Sequence, residues 1–284
     1  MSDQGPNWVQ TEARVVSNEP VASMIYYLVL EAPKVARRAR PGQFVGVRVA
    51  AGIAPLLRRP FSLCTIDPEA GVTGILYRVV GQGTRLLSEF GPGETVDLIG
   101  PLGTGFPVRR GSEAAVLVGG GIGVAPLPAL ARELVRAGKK VVALVGARTA
   151  DELAGVSLLS DSGAEVRICT DDGTAGRRGL VVEPLQEVLA RGQAGEVHAC
   201  GPEPMLEVVQ TLCLEHGVKG YLSLEERMGC GVGACLGCAC RVKSKAPAGS
   251  DHSGATRRIG LERVAYKKVC LDGPVLPAEE VCFQ

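Results

Sequence analysis

Near residue 112 the rhythm of apolar residues changes, and nothing else in the chain constrains its fold as much. Before that point, the segments ARVVSNEP (13–20), MIYYLVLEAP (24–33), GQFVGVRVA (42–50), GVTGILYRVVG (71–81) and ETVDLIGPLG (94–103) are β-branched or alternate in polarity, and Gly/Pro turns bound them. Short strands spaced in this way predict a sandwich or barrel, with TRLLSEF (84–90) as a short helix inside it. After it, AAVLVG (114–119) is a continuous apolar strand, and Leu127, Leu130, Ala131, Leu134 and Val135 recur at helical spacing until Gly138. KVVALVGA, EVRICT and EVHACG are further strands with helical patterns between them, the last placing Met205, Val208, Val209 and Leu212 on one face. His216, at the end of that pattern, reads as a cap complementing the helix dipole. Fully apolar strands alternating with helices mean a parallel doubly wound sheet. The expected architecture is multidomain: an antiparallel β-barrel domain over 1–110, an α/β doubly wound domain over 111–222, and a small cysteine-rich domain over 223–284, where neither period holds. Within the last, SKAPAGSDHSGATRRIG (244–260) is polar and Gly/Ala/Ser-rich and reads as a mobile loop.

Charge and composition exclude several classes. Lys plus Arg number 31 against 30 for Asp plus Glu, so there is no basic footprint for nucleic acid and no polybasic membrane anchor. The longest uncharged run, 114–131, approaches the length of a membrane span, but the glycines and prolines at its centre make it a strand, a loop and a helix. Aromatic residues are only 4%, which leaves the core to Val, Leu, Ile and Ala. The N-terminus lacks the basic and apolar regions of a secretory signal. A cytoplasmic location follows as the expectation, and there clustered thiols hold metal or do redox work rather than form disulfides.

The thiols are concentrated in RMGCGVGACLGCACRVK (227–243). Cys230, Cys235 and Cys238 have the spacing C-x4-C-x2-C, which a distant fourth cysteine completes to a plant-type [2Fe–2S] pattern. Gly229, Gly231, Gly233 and Gly237 let one loop turn sharply and bring its N–H groups near the sulfurs. Structural zinc more often takes paired C-x2-C knuckles, and only one such pair exists here. Cys270, in KKVC, is the expected fourth ligand, with Cys282 as the alternative; Cys240 reads as a buried structural cysteine. The separation of Cys270 from Cys238 by 31 residues makes its assignment less direct.

Four further stretches lie at turns or strand ends; the first, by itself, is only a Pro-bounded strand start. In LLRRPFSLCTID (56–67), Arg59, Pro60, Phe61 and Ser62 leave a turn and start a strand. In LYRVVGQGTRLL (76–87), Leu76, Tyr77 and Arg78 end a strand, and Gly83 and Thr84 precede a helical stretch whose N–H groups suit a phosphate. VGGGIGVAPLPAL (118–130) places Gly119, Gly120, Gly121 and Gly123 between a strand and a helix, where glycine permits close approach to a pyrophosphate. HACGPEPML (198–206) puts Cys200 and Gly201 at another strand end. Asp171 and Asp172 suit ribose hydroxyls, as in NAD sites, whereas Arg148 suits a 2′-phosphate; these two cues conflict.

Together these motifs resemble the ferredoxin–NADP reductase superfamily, and the order barrel, nucleotide domain, C-terminal cysteine loop resembles the electron-transfer subunits of class 1B dihydroorotate dehydrogenase over nearly the whole chain. The resemblance implies FAD on the barrel, with Arg59 at the pyrophosphate, Ser62 beside the isoalloxazine, and Leu76, Tyr77 and Arg78 on the adenosine or ribityl side. It implies NAD at the carboxyl ends of the strands, with Cys200 and Gly201 near the nicotinamide. It further implies an FMN-containing catalytic subunit as partner, two of each in a heterotetramer, with electrons passing from dihydroorotate through the [2Fe–2S] cluster and FAD to NAD+ in pyrimidine (UMP) biosynthesis. No catalytic residue beyond the cofactors is then expected. The competing readings are a general NAD(P)H reductase subunit feeding ferredoxin or another flavoprotein, and a colourless zinc-stabilised scaffold.

Overall fold

The computed structural model describes residues 7–50, 52, 54–111, 113–244, 257–259 and 262–283. Six antiparallel strands, β1 (Val9–Ala22), β2 (Ile25–Glu31), β3 (Phe44–Arg48), β4 (Arg59–Asp67), β5 (Val72–Arg78) and β6 (Thr95–Leu102), close a barrel in the order β1-β2-β5-β4-β3-β6. Its interior is built by Val15, Leu28, Leu30, Leu63, Ile75, Val96 and Leu98. Helix α1 (Pro33–Ala36) follows β2, and α2 (Gln82–Ser88) follows β5, where TRLLSEF predicts a helix.

The chain then alternates β7 (Ala115–Gly120), α3 (Leu127–Arg136), β8 (Val141–Ala147), α4 (Val156–Asp161), β9 (Glu165–Thr170), β10 (Arg177–Arg178), α5 (Val182–Ala190), β11 (Glu196–Cys200), α6 (Glu203–Glu215) and β12 (Lys219–Ser223). The sheet order is β10-β9-β8-β7-β11-β12, all parallel, and a late strand joins β12 antiparallel at the edge. Leu127, Leu130 and Leu134 of α3 pack one face in a core that continues into the barrel through Leu76 and Cys64. Leu185 and Val188 of α5 with Leu206 and Val209 of α6 pack the other. The strand order reverses between β7 and β11, so their carboxyl ends open a crevice for a ligand.

Strand β11 buries both of its polar side chains, Glu196 and His198. Glu196 Oε1 lies 3.3 Å from both Lys139 Nζ and His198 Nε2. His198 stacks on Tyr221 at 5.2 Å and meets the edge of Phe106, beyond the barrel, at 5.4 Å.

The C-terminal region forms strands where the sequence shows no sustained period. β13 (Ala239–Lys243), β14 (Arg257–Ile259) and β15 (Glu262–Lys268) make an antiparallel sheet in the order β13-β15-β14, and β16 (Val275–Pro277) is the strand that joins β12. β13 is short, and its alternation, with Cys240 and Val242 buried, is interrupted by the polar stretch that follows. Of that expected mobile loop, Ser244 and residues 257–259 are described, the latter as a strand paired with β15; the rest lies outside the described residues. Among the described residues no helix is long and apolar enough to cross a membrane.

Candidate cofactor and cluster sites

The cysteine loop and the end of β15 bring four thiols together as two pairs. Cys230 Sγ accepts hydrogen bonds from Val232 N (3.4 Å), Ala234 N (3.3 Å) and Cys235 N (3.4 Å), and the Cys235 thiol is hydrogen-bonded to it. Burial acts to raise the Cys230 thiol, but these N–H groups and the Cys235 thiol outweigh it and bring it down to about 6. Cys238 and Cys270 form the second pair: Cys270 N donates to Cys238 Sγ at 3.4 Å, and Cys270 Sγ accepts from Gly233 N at 3.2 Å. Burial, then the hydrogen bond to Cys238, pushes Cys270 up to about 12. Two pairs suit a [2Fe–2S] cluster, whose two irons take two thiolates each. Among the described residues no three Cys, His, Asp or Glu side chains converge on the position of a single ion. Cys240 lies in the apolar core with Val242 and Val269, and burial raises it to about 11. Cys282 N donates to Arg241 O of β13 at 3.1 Å.

The 31-residue separation of Cys238 and Cys270 has a structural cause. Ala239 pairs with Lys268 across β13 and β15, so the residue before one strand and the residues after the other meet at one end of an antiparallel sheet. At the opposite end of the ladder Lys243 pairs with Val264.

A cavity of about 390 Å³ lies between the barrel and β11–β12, lined among others by Arg59, Pro60, Phe61, Ser62, Leu76, Tyr77, Arg78 and Thr84. Tyr77 is fixed by donating to Asn18 Oδ1 at 3.0 Å and by stacking with Tyr26 at 5.7 Å, which gives the cavity a flat aromatic wall. Gly83 lies behind Arg59, whose guanidinium occupies the space a Cβ would need. Gly83 and Thr84 stand within the first turn of α2 rather than before it, because the helix starts at Gln82. The Thr84 hydroxyl serves that turn, accepting from Val80 N at 2.9 Å and Gly81 N at 3.2 Å. The first helical bond runs from Arg85 N to Gly81 O, so the N–H groups of Gln82 and Gly83 precede the ladder. These donors and Arg59 suit the pyrophosphate of FAD.

A second cavity of about 600 Å³ fills the crevice at the β7/β11 switch, lined by Gly120, Gly121, Gly123 and Gly201, by Arg148 and Asp171, and by Arg78, Ile122 and Glu225, which also line the first. Cys200 is paired with Gly119 across the strands and lines the first cavity. Burial, then the nearby Glu225 carboxylate, pushes its thiol up to about 12, so it meets a ligand as a neutral, compact group. Gly119 sits beneath Val124 and Leu127 rather than at the cavity wall. Gly121 has φ +55°, a conformation glycine adopts without strain.

A family model described as the iron-sulfur cluster binding domain of dihydroorotate dehydrogenase B matches residues 225–251. The dihydroorotate dehydrogenase B (NAD(+)) electron transfer subunit of Geobacillus sp. (strain WCH70) is 44% identical over 275 residues, which cover 96% of this chain and 98% of that protein. The corresponding subunit of Bacillus caldolyticus is 45% identical over 270 residues, covering 94% and 96%. The chain belongs to the electron-transfer subunits of dihydroorotate dehydrogenase B. Among solved structures, the NADH-dependent reduced ferredoxin-NADP oxidoreductase is similar with a TM-score of 0.79 and 30% identity, over 95% of this chain and 89% of that one. The ferredoxin reductase of carbazole 1,9a-dioxygenase, with 24% identity and a TM-score of 0.63 over 76% of this chain, shares the fold.

In this dihydroorotate dehydrogenase B subunit, several residues at the site escape sequence reading. Met228 lines the barrel cavity and, with Phe44 and Pro60, separates it from Gly229 and Cys230. Glu225 lies between the two cavities, and burial raises its carboxyl above the ordinary range. Glu152 binds Arg148 through Oε1 at 2.6 Å and Oε2 at 3.2 Å, and accepts from Arg78 at 3.2 Å. In sequence, Glu225 and Glu152 are ordinary charges in polar connections; only their proximity to the strand ends hints at a role.

Proposed function

We propose that this chain is the electron-transfer half of NAD-dependent dihydroorotate dehydrogenase, coupled to an FMN-containing catalytic subunit in a heterotetramer, in the cytoplasm and in the service of UMP synthesis. The observation that carries the reading is the series of three adjoining sites. Cys230, of the first thiol pair, is one layer of side chains (Phe44, Pro60 and Met228) from the barrel cavity, and that cavity shares Arg78, Ile122 and Glu225 with the nucleotide crevice. When bound, a [2Fe–2S] cluster exchanges single electrons, FAD one or two, and nicotinamide a hydride, so a flavin between the other two makes the conversion.

The chain's own residues hold and insulate these groups. Cys230, Cys235, Cys238 and Cys270 are the cluster ligands, and the N–H groups around Cys230 favour its thiolate before metal arrives. Arg59 and the first turn of α2 would hold the FAD pyrophosphate, and Tyr77, Leu76 and Ser62, which line the same cavity, would receive the flavin. Gly120, Gly121 and Gly123 would admit the NAD pyrophosphate, and Cys200 and Gly201 would take the nicotinamide end. Glu225 lies between the two cavities, and burial raises its carboxyl above the ordinary value because desolvation disfavours the anion. The functional units follow 1–110, 111–222 and 223–284, with β16 shared back to the nucleotide sheet.

The test is an anaerobic preparation assayed for iron, sulfide and FAD, followed by titration with NADH. The expected result is about two irons and two sulfides per chain, with flavin and cluster absorbance both bleached by NADH. A colourless protein holding zinc would overturn the reading.

A further inference from the structure

We propose that Glu152 makes this subunit select a nucleotide with a free ribose 2′-hydroxyl over one with a 2′-phosphate, by keeping Arg148 engaged. The inference rests on the reading of the crevice as an NAD site and adds the residue that sets its choice. Arg148 follows β8 and Asp171 follows β9, the strand ends that meet the adenine ribose in a doubly wound sheet. Both line the crevice. An arginine there, with 71% of its side chain exposed, is by itself the ordinary receptor for a 2′-phosphate.

Here it is committed elsewhere. Glu152 takes Arg148 with both carboxylate oxygens, the fork geometry that arginine makes most strongly. Glu152 is in turn held from the barrel side by Arg78 at 3.2 Å, and its own side chain is only 18% exposed. Its turn is braced as well: Ala150 N donates to Thr174 Oγ1 at 2.8 Å, and Thr174 Oγ1 donates to Asp172 Oδ1 at 2.7 Å. Asp172 also accepts from Thr174 N at 2.9 Å, so its carboxylate shapes the loop, and Asp171 is the acid left facing the crevice. At this rim two guanidinium groups and two carboxylates already balance. A 2′-phosphate would add a charge of about −1.5 to −2 and would have to take Arg148 from Glu152 in the presence of Asp171. A 2′-hydroxyl needs only an acceptor, which Asp171 offers. The conflict between an acidic and a basic cue in the sequence is thereby resolved: the basic one is neutralised by a third residue.

The experiment compares the FAD-loaded wild-type protein, Glu152→Gln, and Glu152→Gln combined with Arg148→Ala. Glutamine keeps the length and an oxygen that accepts from Arg78 while removing the charge. Two readouts are taken: the ratio of flavin reduction rates by NADPH and NADH, and the ratio of dissociation constants for AMP and its 2′-phosphorylated form. Expected is a shift of both ratios toward the 2′-phosphate by about tenfold in Glu152→Gln, or 1.4 kcal/mol, and a return to the wild-type ratios in the double variant. Ratios within twofold of wild type in a single variant with full FAD content would overturn the assignment, as would a shift that survives removal of Arg148. If the single variant fails to hold FAD, Arg148→Ala in the wild-type background decides instead: unchanged ratios support the proposal, and a further loss of NADPH use overturns it. Failure of NADH to reduce the wild-type flavin is a different result, which removes the NAD reading itself.

Discussion

Gly123→Ala tests whether the crevice is held open by contact between its two Gly-rich turns. A Cβ at residue 123 would lie 2.5 Å from Gly201 Cα and 2.6 Å from the Cys200 carbonyl carbon, where ordinary contact begins at 3.4 Å. Both opposing atoms are backbone, so no rotamer change relieves them, and the turns after β7 and β11 must part by about 1 Å. They cannot do so freely, because Cys200 is paired with Gly119 at the last rung between those strands. Overpacking of this kind costs about 1–3 kcal/mol. A displacement of about 1 Å at the nicotinamide end costs on the order of a hundredfold in rate. The assay is anaerobic stopped-flow reduction of the flavin by NADH, with FAD, iron and sulfide content and a thermal melt of the same preparation. The expected outcome is a saturating rate about a hundredfold lower, a lower melting temperature, and cofactor content near wild type, because the barrel and the thiol pairs lie outside the two turns. A variant that reduces at the wild-type rate and melts at the wild-type temperature would refute the argument that these turns interlock.

Three further outcomes follow from the same geometry. Cys235→Ser should lose iron and sulfide while retaining FAD, whereas Cys240→Ser should keep its iron and lose about 1–3 kcal/mol for a hydroxyl in the sheet core; normal iron in the first variant would remove Cys235 from the ligands. Lys139→Met leaves the Glu196 carboxylate buried with His198 alone, and about 3 kcal/mol of stability should be lost in denaturant unfolding, against less than about 1 kcal/mol if the ion pair were a surface one. Glu225→Gln should be more stable than wild type at pH 8 and indistinguishable from it at pH 4: burial raises the folded-state pKa, so the glutamate's contribution is fully present below its ordinary value of 4.5 and is lost as pH rises. Melts of both proteins across that range check it, and a constant difference would show that the carboxyl is not buried in solution.

The barrel and the doubly wound sheet were legible because each rests on a local period, two for β1–β6 and 3.6 for α3 and α6, and both survive burial unchanged. The cluster loop was legible because its three cysteines and four glycines lie within ten residues of one another. What escaped depends on partners distant in sequence. EVHAC shows a glutamate and a histidine in a strand, and nothing near it announces that Lys139 will meet Glu196 or that His198 will stack on Tyr221. Arg148 reads as a phosphate receptor until Glu152 and Arg78, from the barrel, are seen to occupy its neighbourhood. Gly83 and Thr84 read as preceding the helix but are its second and third residues, because Gln82 opens it and helix ends are poorly fixed by sequence alone.

The arrangement of the three sites follows from short tethers to one position of the sheet. Ser223, the last residue of β12, is paired with Cys200 on one side and with Val275 of β16 on the other. Only seven residue steps lead from Ser223 to Cys230, and only five from Cys270 to Val275. Even fully extended, these spans reach about 25 Å and about 18 Å. The first ends in a bend at Gly229–Cys230, which lies with Met228 against Phe44 and Pro60 of the barrel. Both halves of the cluster site are therefore fixed to the strand pair that borders the flavin cavity, whatever the outer chain does. That outer chain, between β13 and β15, can lengthen without moving Cys238 or Cys270, because Ala239 and Lys268 pair before it begins. Electron transfer needs the cluster near the flavin, and the chain meets that need by keeping the tethers short.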